Sequence, residues 1–176
     1  MTASKRRGSV DGLAKEIGKV RPFDRPEEET YLNLLRTVAV LSAPVERLFR
    51  QHGLSEATYN VLRILRGAGS PGLPSQEIGS RMVTRVPDVT RLVDRLEVEG
   101  LVERGRVETD RRVVLVNVTP KGLKLLSALD KPAVELESRL LGHLSRRELA
   151  GLSRLLVKAR EGARAGSGAA LASTRT

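Results

Sequence analysis

The chain has 176 residues, about one domain's worth, with 40% hydrophobic and 30% charged side chains, a globular rather than a disordered composition. Zero cysteines exclude a disulfide framework, a thiolate metal site and a cysteine redox sensor, and with only His52 and His143 no multi-histidine metal site fits within one chain. The 31 Lys+Arg against 21 Asp+Glu give a formal net charge of +10, which suits a polyanion partner and equally a solvated basic surface.

Val10, Leu13, Ile17 and Val20 recur at roughly helical spacing, so a short amphipathic helix fits an N-terminal arm over residues 1–26. Pro22 and Pro26 close it. Residues 27–51 read as one long helix with Tyr31, Leu34, Leu35, Val38, Leu41, Val45, Leu48 and Phe49 on its apolar face. Glu27, Glu28 and Glu29 suit its positive end, Pro44 predicts a kink, and Gly53 terminates it. Ser55 is a good N-cap for a helix over 56–67, with Tyr59, Leu62 and Leu65 inward. GAGSPGLP at 67–74 is a turn cluster, and a short helix over 74–83 follows, with Pro74 as its first residue and Ile78, Met82 and Val83 as its stripe. The next helix spans 87–99 and ends at Gly100.

The period then changes. Leu101–Arg104 and Val113–Val118 are β-rich runs around a polar tip, GRVETDR, which predicts a two-stranded hairpin. Thr119 caps a helix that starts at Pro120 and runs to about 142, through Pro132, with Leu123, Leu126, Leu129, Leu136, Leu140 and Leu144 along one side. Ser145 and Glu148 form a capping box for a last helix over 146–162, with Leu149, Leu152, Leu155 and Leu156 inward. Residues 163–176, small and polar, read as a disordered tail. No run reaches the ~20 apolar residues of a membrane span, and the N-terminus lacks an apolar signal segment, so no membrane partner is expected and the cytoplasm is the expected location. The fold class is mainly α with a small β-hairpin wing: a winged helix-turn-helix over 54–119, flanked by long helices at 27–53 and 120–162.

The candidate chemistry lies in residues 75–112, which carry eight basic and eight acidic side chains. A net charge of zero cannot attract DNA, so arginines and acids must be sorted onto different surfaces. In the 87–99 helix, Val89, Leu92, Val93 and Leu96 form a buried stripe, and Arg91 and Arg95 fall away from it on adjacent turns. Asp88 and Thr90 lie near its N-terminus, where a recognition helix meets base edges. The plain alternative is a surface helix with internal pairs such as Asp88–Arg91 and Asp94–Arg91. Around the hairpin tip, Arg104, Arg106, Arg111 and Arg112 suit a minor groove, with Asp110 as an internal partner. The alternative there is a solubilising turn. No aromatic residue lies in this segment, which disfavours single-strand or RNA reading by base stacking.

VTRLVDRLEVEGLVER (89–104) and ETDRRVVLVNVTPKGLKLL (108–126), with Asp110-x-Arg112 and Thr-Pro-x-Gly at 119–122, resemble the MarR family of bacterial transcriptional regulators. The resemblance spans roughly 27–162. It implies a homodimer whose end helices interlock, and a sequence-specific regulator, as a repressor, of a pseudo-palindromic double-stranded operator. It further implies that Thr84, Arg85, Asp88, Thr90, Arg91 and Arg95 face the major groove or its rim, that Ser75 donates to phosphate, and that Arg106, Asp110, Arg111 and Arg112 serve the wing. A small aromatic or anionic ligand that releases DNA is implied too, with Arg36, His52, Tyr59 and Arg63 as candidate lining, although their spacing shows no pocket and His52 equally suits a helix end. Lys5, Arg6 and Arg7 either touch outlying phosphates or belong to a solvated tail, and the 10–20 stretch alternatively docks on the long helices. A helical protein-interaction module is the competing function. An enzyme is not expected: there is no Cys nucleophile, no partnered His and no Gly-rich phosphate loop after a strand, and no cofactor or metal is called for.

Overall fold

The computed structural model describes residues 12–106 and 113–173, with side chains through residue 164. In chain order it contains α1 (Leu13–Glu16), α2 (Pro26–Arg50), α3 (Glu56–Ala68), α4 (Ser75–Arg81), α5 (Val89–Val98), β1 (Val102–Arg106), β2 (Val114–Val118), α6 (Pro120–Leu141) and α7 (Arg146–Ser173). None of the described helices is long and apolar enough to cross a membrane. The chain divides into two compact units, one ending at Leu129 and one from Asp130 onward.

The first unit holds the core. Val61, Leu62 and Leu65 of α3, Ile78 of α4, Val93 and Leu96 of α5 and Val116 of β2 are buried together. The core extends past the expected 54–119 segment, because Phe49 from the end of α2 and Leu126 and Leu129 from α6 also join it. Their burial follows from the apolar stripes continuing without a break into the flanking helices.

Local chemistry sets the element ends. Ser55 caps α3: its Oγ accepts the Thr58 N–H at 3.1 Å, and Thr58 Oγ1 accepts the Ser55 N–H at 2.8 Å. Pro26 begins α2, so it opens that helix rather than breaking the chain before it, and α2 runs on through Pro44. Pro74 is the N-cap of α4, so the helix starts at Ser75, one residue after the predicted start. The hairpin is antiparallel, with Val102 opposite Val118 and Arg106 opposite Val114. Leu73 adds an isolated bridge to Val116 on the hairpin's other edge. Gly72 makes this possible: its φ is +93°, and a side chain there would strike the Val116 carbonyl and Asn117.

Thr119 and Gly122 join the hairpin to α6. Thr119 Oγ1 accepts the Gly122 N–H at 3.1 Å and donates to the Gly100 carbonyl at 2.8 Å. A Cβ on residue 122 would collide with the Leu101 carbonyl, which gives the Thr-Pro-x-Gly motif its physical reason. In the second unit the capping box forms as expected: Glu148 Oε2 accepts from the Ser145 N–H at 2.8 Å and from Ser145 Oγ at 2.7 Å. The last helix corrects one expectation. It continues to Ser173, so the tail read as disordered is helical that far. Ala163, Ala165, Ala169, Ala170 and Ala172 supply helix propensity that the interspersed Gly and Ser concealed.

Candidate nucleic-acid interface

The recognition helix α5 begins at Val89 rather than at Pro87 because Asp88 is its cap. Asp88 is extended (φ −142°) and its Oδ1 accepts the Arg91 N–H at 3.1 Å. Its carboxylate therefore serves the helix end, and in place of the Asp88–Arg91 side-chain pair of the plain surface-helix alternative there is a side-chain to backbone bond. Val93 and Leu96 are buried and Val89 and Leu92 half-buried, as the stripe predicted. At about 100° per residue, Arg91, Asp94 and Val98 lie farthest from that stripe, with Asp94 on the side that Glu97 flanks and Arg95 and Glu99 on the other side. Thr84, Arg85, Thr90 and Arg91 are exposed.

The acids in this segment are largely occupied. Arg104, on β1, reaches both carboxylates of the first flank: Nη2 donates to Asp94 Oδ1 at 2.5 Å, and Nη1 donates to Glu97 Oε2. Asp94 therefore does not pair with Arg91. The Asp94 hydrogen bond, with Glu97 adding to it, raises the Arg104 pKa above its already high ordinary value, so this guanidinium stays charged. On the other flank Arg95 Nε donates to Glu99 Oε1 at 2.9 Å and its Nη2 to the Gly53 carbonyl at 3.3 Å. Arg95 thus ties α5 to the turn after α2. Glu77 pairs with Arg81. Arg85, Arg91 and Arg106 make no ion pair with any described residue. Among the described residues the acids of α5 are paired along its sides, while Arg85, Arg91 and Arg106 stand exposed without an ion-pair partner.

Arg106 is exposed at the end of β1, and Ser75 is half-buried as the first residue of α4. Asp110, Arg111 and Arg112 lie outside the described residues. Sequence reasoning missed Asn60, whose Oδ1 accepts the Val83 N–H at 2.9 Å and so anchors the loop leading to α5. No local pattern links positions so far apart. It also missed Lys121, whose Nζ donates to the Glu99 carbonyl at 2.6 Å and braces the end of the same helix.

Of the candidate ligand residues, two come together. The Tyr59 ring is buried and stacked on Phe49, with centroids 4.1 Å apart, and its hydroxyl accepts from Arg63 Nη1 at 3.0 Å. His52 instead donates from Nδ1 to the Leu48 carbonyl one turn back, at 3.1 Å, a helix-end role. Arg36 pairs with Glu16 of α1 at 3.5 Å. Leu13 and Ala14 of α1 are buried, and α1 lies against α2.

The MarR family profile matches residues 52–113. The HTH-type transcriptional regulator PecS of Dickeya dadantii is 31% identical over 150 residues, which is 84% of this chain and 90% of PecS. A MarR transcription factor from Planctomyces limnophilus has a solved structure at 44% identity and a TM-score of 0.60, covering 77% of this chain and 98% of that one. The fold also matches MepR of S. aureus, solved as a DNA complex, at 24% identity and a TM-score of 0.67, over 75% of this chain and 97% of that one.

Proposed function

The chain belongs to the MarR family of transcription regulators, and on that premise we propose that it acts as a homodimeric repressor of a pseudo-palindromic duplex operator. The observation that carries the reading is the outer face of α5, where Arg91 stands exposed and unpaired among described residues while the neighbouring acids are held by Arg104 and Arg95. An unpaired guanidinium on the outer face of a helix can pair in two-point fashion with guanine O6 and N7 in the major groove. Thr84, Arg85, Thr90 and Ser75 contribute contacts to the groove or its rim. Asp88 orders the helix end, and Arg95 sets its depth from the flank. The wing, with Arg106, Asp110, Arg111 and Arg112, reaches the minor groove. MepR, which shares the fold, has been solved on DNA.

Pairing of two chains is supported by the helices outside the core. Tyr31, Leu35, Val38 and Val40 of α2 are exposed apolar residues on one helix, as are Leu152, Leu155 and Val157 on α7. Faces of this kind are covered when helices 27–53 and 120–162 of two chains interlock, leaving each 54–119 unit to read one half-site. The stacked Phe49–Tyr59 pair with Arg63 is the best-supported part of a site for a small aromatic or anionic ligand, with Arg36 and His52 as its outer candidates. The repressor acts in the cytoplasm, where its operator is.

Selection of bound duplexes from a random pool tests the reading. The expected product is one enriched sequence with two inverted half-sites about one helical turn apart. A pool that stays random after selection would refute sequence-specific recognition.

A further inference from the structure

The wing and the recognition helix must meet one duplex at a fixed angle; a short turn around Gly100 joins α5 to β1, and Val102 and Val116 at the base of the hairpin share a core with Val93 and Leu96. Arg104 spans this junction from the side. It sits within β1, opposite Val116 and two residues before the exposed Arg106. Its side chain is 26% exposed, and its two terminal nitrogens engage two different carboxylates, Asp94 and Glu97, which lie three residues apart on one flank of α5. A planar fork fits two acceptors in fixed directions; the point charge of a lysine does not. The two acids lie in the segment meant to meet a polyanion, where their charge alone would weaken binding.

We propose that Arg104 is a positioning residue for DNA recognition: by gripping Asp94 and Glu97 it locks the wing to the flank of the recognition helix, so that Arg91 and Arg106 engage the same duplex together. The inference rests on the operator-binding reading given above. It explains why a DNA-reading helix keeps two carboxylates: they are the helix's half of the lock. It also separates positioning from simple charge, because the two accounts predict opposite signs for one variant. Removing both acids leaves the chain two units more positive, which by charge alone tightens binding. Removing the lock releases the wing and weakens binding.

The experiment uses the full-length chain and the duplex recovered from random-pool selection, in a salt series. The Asp94→Ala/Glu97→Ala variant is expected to bind about tenfold more weakly than wild type, with a shallower dependence of log affinity on log salt as wing phosphate contacts are lost. Arg104→Lys is expected to fall between wild type and Arg104→Met at an unchanged preference for the base pairs under α5. Thermal unfolding checks that each variant is folded; if Arg104→Met is not, the acid-to-alanine pair on the helix surface decides alone. Affinity equal to or above wild type for that pair, at any salt, overturns the proposal while leaving operator binding standing. A wild-type chain that shows no preference for any duplex overturns both.

Discussion

The α3–α5 core and the long helix α2 both carry apolar stripes, and the structure treats them in opposite ways. Leu62, Ile78, Val93, Leu96 and Val116 are completely buried within one chain, whereas Val38 of α2 is 61% exposed and Leu35 51%. Helical periodicity identifies a face that wants cover; it does not say whether the same chain supplies it. In the winged-helix unit the hairpin and neighbouring helices close over the stripe. Among the described residues, the small helix α1 with Leu13 and Ala14 lies against α2, and the core takes in Phe49, with Val45 and Leu48 packed against it, at the far end. The difference separates a part whose stripe is closed within the chain from a part whose apolar surface the proposed pairing of two chains would cover.

That contrast can be broken from either side. Leu62→Ala, at a position with no exposed surface, is expected to cost about 2–5 kcal/mol of folding stability through lost burial and a residual cavity, read by urea unfolding; a loss under about 0.5 kcal/mol would mean the core is looser than the packing indicates. Leu35→Glu combined with Val38→Glu is expected to weaken chain pairing by on the order of 2 kcal/mol while barely changing the unfolding of the single chain, read as a concentration-dependent shift to monomer in sedimentation. If the variant dimerises like wild type, the exposed stripe is not the pairing face. The smallest effect concerns α7, whose start is held by local bonds at an exposed site. The Ser145 hydroxyl, and then its backbone N–H, lower the Glu148 pKa below the ordinary carboxylate value. A depressed folded-state pKa stabilises the folded form above the unfolded value, and the gain drains away as pH falls through the folded one. Helix-end protection at residues 146–149, followed by amide exchange, is therefore expected to decline on acidification in wild type and to be flat with pH in Glu148→Gln.

The fold was largely legible because its signals are local. Ser55, Thr119 and Ser145 announce helix starts, Gly100 a helix end, and the switch from helical to strand pattern after Gly100 marks the hairpin. The site was legible in part. The α5 stripe and the outward Arg91 follow from helical geometry alone. The fates of the charged residues did not follow, since they depend on contacts between elements: Arg104 takes Asp94 and Glu97 away from Arg91, and Arg95 reaches back to Gly53. Asp88 caps the helix through one carboxylate oxygen, a role that the Pro-Asp pair before an apolar stripe fits and that the groove reading alone did not bring out. The extension of α7 was hidden because glycines scattered among alanines mask the underlying propensity.

The central claim is that the outward face of α5 reads sequence while its flanks are neutralised within the chain. Binding of wild type and Arg91→Ala to the selected operator, to single-base variants of it and to random duplex, at matched salt, tests this most directly. The account predicts that Arg91→Ala loses about 1–3 kcal/mol on the operator and relaxes preference at one base pair per half-site, with little change on random duplex. An Arg91→Ala protein that discriminates among these duplexes as wild type does would contradict it.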